Sequence, residues 1–172
     1  MTRREALIYG GVAAAAAAAG GLAGAMFLQS GSGAAALLSA NFVDLDGRPQ
    51  RLLAWQGRGL LCNFWATWCA PCREEVPLLV AAKQHLPASR GEIVGIAIDT
   101  VDKVREFARI HRINYPLLIG DAATIGLLRE LGNKAGALPY TVALGPTGAV
   151  VWRHLGAAKE PEIRKVVDSF GR

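Results

Sequence analysis

Two cysteines stand two residues apart near the middle of the chain, in the stretch NFWATWCAPCREEVP at residues 63–77. Cys69 and Cys72 are separated by Ala70 and Pro71, with an aromatic, apolar run before them and a charged, helix-like run behind. A pair at this spacing can bind a metal, close a structural disulfide, or form and break a disulfide during a reaction. The surrounding sequence decides between these chemistries.

The cysteine pair lacks the partners that a structural metal site needs. Structural zinc usually takes four ligands, commonly two such pairs, and the third cysteine of the chain, Cys62, is unpaired in sequence. The histidines have no ligand-like spacing: they are His85, His111 and His154. A disulfide over so small a loop restricts little chain entropy, so it is also a weak structural staple. We therefore predict no metal and no cofactor, and we favour a redox-active pair.

The position of the pair, between a strand and a helix, suits redox chemistry. Leu60–Trp65 is a short apolar run typical of a strand buried on both faces, and a helix is predicted from about Cys69 to Leu86. Cys69 then lies at the positive end of the helix dipole, which stabilises a thiolate. Pro71 is tolerated in a first turn. Cys72 is one turn further and within disulfide reach, so we expect Cys69 to attack and Cys72 to resolve the mixed disulfide.

The rest of the domain alternates strands with helices and ends in a hairpin. This order predicts an α/β fold in which a central mixed β-sheet, parallel in its first half, is flanked by helices. The predicted elements are an N-terminal hairpin over 41–53 turning at Asp46-Gly47, a strand at 92–98, a helix from a cap at Asp102 to His111, a strand at 115–119, a helix at 123–131, hairpin strands at 141–144 and 149–154, and a helix at 160–170.

The N-terminus has the pattern of a targeting segment. Arg3 and Arg4 precede an uncharged segment over residues 6–28, as in an export signal or a membrane anchor. The match to a twin-arginine signal is partial, and both the export route and cleavage stay open. We predict a periplasmic protein, membrane-anchored or exported, working where disulfides persist. The predicted divisions are a signal or anchor at 1–29, a flexible Gly/Ser/Ala-rich tether at 30–39, and the domain at 40–172.

Composition excludes other classes. The 172 residues suffice for one domain plus extra sequence. The net charge of +5 is spread singly among acidic residues rather than clustered, so we do not expect a nucleic-acid partner. With three cysteines, a framework of several disulfides is not possible within the chain.

Several of these motifs together carry a family resemblance. WCAPC after NFWAT, with REEVP behind it and LPYT at residues 138–141, resembles the thioredoxin superfamily and, more narrowly, the TlpA/ResA-type membrane-associated thiol:disulfide oxidoreductases. The resemblance covers residues 38–170. It implies a thioredoxin-like fold with an extra αβ insertion at 115–132. It also implies that Pro139 is a cis-proline facing the disulfide, and that Leu138 offers its backbone to a substrate peptide.

Two polar neighbours differ from plain thioredoxin. Asn63 stands where thioredoxin has a buried acid, and an amide cannot accept the proton of a resolving cysteine. Glu75 follows Cys72 by three residues on the same helical face and matches the acid of the ResA-like proteins. We expect it to act as proton acceptor or pKa modulator, against the alternative of a solvated helix glutamate, which suits Glu74 better.

The other neighbours divide into substrate contacts and core. Trp68 is adjacent to Cys69 and, with Ala70 and Pro71, is expected to contact substrate. Cys62 lies in an apolar run and is expected to be an inert core thiol.

The resemblance implies an enzyme that reduces disulfides of protein substrates, with electrons from a membrane donor of the DsbD/CcdA type. Apocytochrome c is one substrate class it suggests, although a dithiol can run in either direction according to its potential. Two alternatives are a copper-handling Sco-like protein, which spaces its cysteines C-x-x-x-C, and a peroxiredoxin-like thiol peroxidase, which has P-x-x-x-T-x-x-C. The spacing of Thr67, Cys69 and Cys72 matches neither pattern.

Overall fold

The computed structural model describes residues 33–170, so the signal or anchor expected at 1–29 lies outside the described part. The strands are β1 (Phe42–Asp44), β2 (Pro49–Gln50), β3 (Gly59–Trp65), β4 (Gly91–Ala97), β5 (Leu117–Ile119), β6 (Tyr140–Leu144) and β7 (Val150–Leu155). The helices are α1 (33–39), α2 (Ala70–His85), α3 (Val101–His111), α4 (Ala122–Glu130) and α5 (Glu160–Ser169). Across residues 33–170, no helix combines the length and apolar character that crossing a membrane requires.

The seven strands form one mixed sheet in the order β2-β1-β5-β4-β3-β6-β7. Strands β3, β4 and β5 run parallel, whereas β6 and β7 add an antiparallel edge beside β3. At the other edge β1 pairs antiparallel with both β5 and β2. The expected mixed sheet flanked by helices is confirmed, and segment 115–132 forms β5 and α4, the αβ unit that the resemblance implied there.

The central strand β3 is buried along its whole length, as its apolar run predicts. Its side chains alternate between two cores. Leu61 and Trp65 face the core beneath α2, α3 and α5, whereas Leu60 and Phe64 face the core beneath α1 and α4. The sheet is therefore covered on both faces, and the carboxyl end of β3 leads straight into the segment that carries the two cysteines.

The structure corrects the tether expected at residues 30–39. Residues 33–39 form helix α1, and its Ala34, Leu37 and Leu38 are buried against the sheet. Gly33 lies so close to the carbonyl of Glu130 that a side chain there would overlap it. The alanines and leucines of this stretch supply an apolar helix face, which outweighs the flexibility suggested by its glycine and serine.

Two local details also differ from expectation. Leu52–Trp55 is a 3-10 helix, so the second hairpin strand is shorter than expected. The N-cap of α3 is Thr100 rather than Asp102, which lies within the first turn. An acidic residue suits either position, because both lie near the positive end of the helix, and sequence alone does not separate them.

Gly59, the first residue of β3, lies in close contact with Phe170, and this contact can be tested. A Cβ on Gly59 would fall 2.1 Å from the Phe170 ring, which also covers Gly91. We expect Gly59→Ala to lower the free energy of unfolding by about 3 kcal/mol in urea denaturation, because neither backbone nor ring can yield freely.

Gly126→Ala is the matched control, since Gly126 lies in α4 with nothing within 4 Å of the added carbon. It should stabilise the protein by up to about 1 kcal/mol. Combining Gly59→Ala with Phe170→Leu should recover part of the loss; equal costs for Gly59→Ala and Gly126→Ala would contradict the contact.

Candidate active site

The two cysteines form a disulfide across the first turn of α2. Cys69 is the N-cap, with an extended backbone, and its Sγ accepts the backbone N–H of Cys72 at 3.3 Å. Pro71 occupies the first turn, where its missing N–H removes no helical bond. Both cysteines are buried, at 7% exposure for Cys69 and 1% for Cys72, so Cys69 is the more exposed residue of the two.

The loop before Cys69 is fastened to the end of β4. The Asp99 carboxylate accepts both the backbone N–H of Thr67, at 3.2 Å, and its hydroxyl, at 2.5 Å. Asp99 also accepts the N–H of Thr100, and Lys103 Nζ lies 3.9 Å away. Burial alone would raise the pKa of Asp99, but these donors outweigh it and lower the pKa. No local sequence signal predicts this contact, because it joins residues 32 positions apart.

Glu75, one helical turn after Cys72, is buried rather than solvated. The residue is 1% exposed, and each carboxylate oxygen accepts one hydrogen bond at 2.9 Å. Oε2 takes the bond from Asn63 Nδ2 and Oε1 takes it from the backbone N–H of Ala158. Burial raises the pKa of Glu75, while these two donors act in the opposite direction. The alternative of a solvated helix glutamate is therefore wrong.

Asn63 holds Glu75 and not the cysteines. The same amide nitrogen that binds Glu75 also donates to Thr141 Oγ1 at 2.9 Å. Asn63 and Thr141 are opposite each other on β3 and β6, so their side chains share one face of the sheet. Asn63, which stands where thioredoxin has a buried acid, thus orients the carboxylate of Glu75 on α2. Sequence reasoning missed Thr141 and Ala158, whose contacts with this group span 78 and 83 positions.

Pro139 lies beside the carboxyl end of β3. The Leu138–Pro139 peptide bond is cis. Pro139 directly precedes β6, whose first residue pairs with Phe64, so antiparallel pairing brings it to the sheet edge from which the cysteine segment leaves. Leu138 is half-buried and packs against the core that contains both cysteines.

Three residues next to Cys69 in sequence are exposed to solvent. Trp68 is 68% exposed, and Ala70 and Pro71 are also exposed. An aromatic side chain of this size on the surface next to a disulfide offers apolar contact area to another molecule. Three of the four residues predicted to contact substrate are thus exposed next to Cys69 along the chain, whereas Leu138 is half-buried.

Cys62 belongs to the opposite face of the sheet. It is fully buried in the core beneath α1 and α4, whereas Cys69 and Cys72 belong to the other core. Burial raises the pKa of its thiol far above the ordinary range. In the part of the chain that is described, no group of three or more His, Cys, Asp or Glu side chains is arranged as a metal site.

Comparison with known proteins gives this geometry a family. The profile of the AhpC/TSA family matches residues 33–153. The chain belongs to the AhpC/TSA family. Thiol-disulfide oxidoreductase ResA of Bacillus subtilis is 29% identical over 114 residues, which cover 64% of this chain and 62% of that protein. ResA of Geobacillus thermodenitrificans is 27% identical over 147 residues, covering 84% of this chain and 82% of its own length.

A solved structure agrees with the fold. The thioredoxin-family thiol:disulfide interchange protein of Chlorobium tepidum superposes with a TM-score of 0.64 at 27% identity, covering 76% of this chain and 92% of its own. The thioredoxin-like fold and the ResA-like resemblance expected from the sequence are confirmed. The relatives are thiol:disulfide oxidoreductases, the enzyme class predicted from the cysteine pair.

The different environments of the three cysteines predict different reactivities. In the reduced protein at pH 7, we expect iodoacetamide to modify Cys69 first, because Cys69 is the helix N-cap and is the most exposed of the three cysteines. Cys62 should stay unmodified for as long as the protein is folded. Peptide mapping by mass spectrometry over time measures both rates, with a sample in urea as the control that exposes every thiol. Equal rates for Cys62 and Cys69 in the folded protein would show that burial does not protect Cys62.

Proposed function

We propose that this protein is an extracytoplasmic thiol:disulfide oxidoreductase that reduces disulfides of protein substrates through Cys69 and Cys72. The observation that carries the proposal is the disulfide at the N-terminus of α2, with the exposed Trp68 next to Cys69 and the buried Glu75 carboxylate one helical turn after Cys72. A structural staple needs neither an exposed aromatic side chain beside it nor a buried titratable group one turn away.

The reaction starts from the reduced pair. The Cys69 thiolate, stabilised by the helix N-terminus, attacks one sulfur of the substrate disulfide, and the other substrate sulfur leaves as a thiolate that takes up a proton. A mixed disulfide now joins Cys69 to the substrate. Cys72 gives its proton to the Glu75 carboxylate and attacks the sulfur of Cys69. The bond between Cys69 and the substrate breaks, and the second substrate sulfur leaves as a thiolate that takes up a proton. Two electrons pass to the substrate, and the Cys69–Cys72 disulfide is restored.

Glu75 suits the role of proton acceptor for Cys72. It follows Cys72 by one helical turn, and its raised pKa brings a carboxyl group closer to the pKa of a thiol. The bonds from Asn63 and Ala158 fix the carboxylate, so that it does not need to reorient when the proton arrives.

The surface around Cys69 supports binding of an extended peptide. Trp68, Ala70 and Pro71 form one side of it, and Leu138 and Pro139 stand at the neighbouring sheet edge. A proline has no N–H to give to an incoming chain, so the backbone of Leu138 is the group that pairs with substrate.

The N-terminal sequence and the relatives support the setting. Arg3 and Arg4 before an uncharged segment favour export or anchoring, which puts the domain where protein disulfides form. In such a setting we propose that a membrane donor of the DsbD/CcdA type reduces the disulfide again and that apocytochrome c is one substrate class, as the sequence resemblance to the TlpA/ResA-type proteins suggests.

The resolving step predicts that Cys72→Ala accumulates a mixed disulfide. Cys69 can still attack, but no second sulfur is present to release the substrate. Non-reducing electrophoresis of the variant expressed with its N-terminal segment should reveal adducts that dithiothreitol removes, and Cys69→Ala should form none.

Insulin reduction with dithiothreitol measures turnover in the same variants. Both cysteine variants should lose at least about 10²-fold in rate, whereas Cys62→Ala, the matched control, should keep its activity. An inactive wild-type protein, or one that instead consumes hydrogen peroxide in a Cys69-dependent manner, would overturn the proposed function.

The proton-accepting role predicts that Glu75→Gln slows the resolving step. We expect a loss of about 10²-fold in insulin reduction, since an amide cannot take the proton of Cys72. Glu74→Gln is the matched control, because Glu74 directly precedes Glu75 in α2 and its side chain is exposed to solvent. If both variants lose the same activity, Glu75 does not accept the proton.

The same substitution has a distinct effect on stability. Because the folded-state pKa of Glu75 is raised from 4.5, its contribution to stability is present below the unfolded-state pKa and is lost as pH rises through the folded-state pKa. Urea unfolding between pH 4 and pH 8 should therefore show a smaller loss of stability for Glu75→Gln than for the wild type.

A further inference from the structure

A row of polar side chains crosses three neighbouring strands on the face of the sheet beneath α2. Asn63 on β3 is opposite Thr141 on β6, and Thr141 is opposite His154 on β7. Residues that stand directly opposite in antiparallel strands point to the same side and lie about 5 Å apart at their Cβ atoms. The row therefore runs from the centre of the sheet to its edge.

The Glu75 carboxylate lies over the inner end of this row. It is held between the Asn63 amide and the backbone N–H of Ala158. Ala158 stands in the connection between β7 and α5, only four residues after His154. The segment that binds the carboxylate thus continues directly from the strand that carries the histidine.

His154 stands at the outer end, with solvent on one side. Its Nδ1 lies 3.8 Å from Glu162 Oε1, and the two side chains are 26% and 42% exposed. The ring is stacked on Trp152, and the other oxygen of Glu162 accepts the N–H of Lys159 at the start of α5. Both side chains are thus held in place and remain partly exposed to solvent.

The charges around Glu75 affect whether its carboxyl group is ionised. His154, when protonated, favours the carboxylate, and Glu162 disfavours it. Tyr115 is a further titratable group near Glu75: burial raises the pKa of Tyr115, and the negative charge of Glu75 raises it further. Glu75 is buried, so protons that it takes from Cys72 have to reach solvent, and histidine is the side chain whose charge ordinarily changes between pH 5 and 8.

We propose that His154, held by Glu162, is a positioning residue that sets the charge of the buried Glu75 carboxylate and so links the Cys69–Cys72 pair to the pH outside the fold. The link to redox chemistry rests on the proposed function, in which Glu75 accepts the proton of Cys72. The link between His154 and Glu75 is electrostatic and is measured without any substrate.

The test follows the titration of the Glu75 carboxyl carbon by NMR in protein labelled with 13C-glutamate, with Glu75→Gln assigning the signal. His154→Gln removes the positive charge, so the midpoint should move up by about 0.5 pH unit; His154→Lys makes the charge permanent, so the midpoint should move down. His85→Gln is the matched control, since His85 follows Glu75 by ten residues on α2, or about 15 Å along the helix. Thermal melts show whether each variant is folded.

The second readout is the pH profile of insulin reduction. His154→Gln should shift the profile of the wild type, and the same substitution in the Glu75→Gln background should shift nothing. Unchanged NMR midpoints in both His154 variants, or a profile shift that persists without Glu75, would overturn the proposal. If the midpoints move as expected while the wild type reduces no disulfide, the proposed function fails and the coupling of His154 to Glu75 stands.

Discussion

The buried carboxylate of Glu75 is the constraint on which the site depends. A charged or protonated carboxyl group away from water is costly unless its oxygens are hydrogen-bonded. Here the two bonds come from Asn63 on the central strand and from Ala158 before the last helix, so the sheet and the connection from β7 to α5 must both be formed before the group is satisfied. Because Glu75 and Cys72 are one turn apart on α2, the same contacts orient the helix that carries the redox pair.

The alternation of side chains along β3 separates two kinds of thiol. Cys62 and Asn63 are neighbours in sequence but face opposite cores. The residue that points toward α2 takes part in the polar group around Glu75, while the residue that points toward α1 and α4 is enclosed by apolar side chains. A shift of one residue in the strand would bury Asn63 without a partner and bring Cys62 under α2. Register therefore protects the active pair from a competing sulfur.

Features that depend on residues close together in sequence can be predicted from it, whereas contacts between distant residues cannot. The Cys69–Cys72 spacing, the apolar run before it and the position of Glu75 one turn after Cys72 all depend on residues within about 15 positions, and each prediction of their placement agrees with the structure. Thr141 and Ala158 join Glu75 only through contacts that span the domain. The tether was mistaken for the same reason, because the helical state of residues 33–39 depends on a docking surface that the segment itself does not contain.

The contact between Thr67 and Asp99 has a consequence for how the pair exchanges partners. The Asp99 carboxylate accepts hydrogen bonds from both the backbone N–H and the hydroxyl of Thr67, two residues before Cys69. Because the main chain is held at Thr67, rotation about the Cα–Cβ bond of Cys69 is the direct way for its sulfur to move from one partner to another.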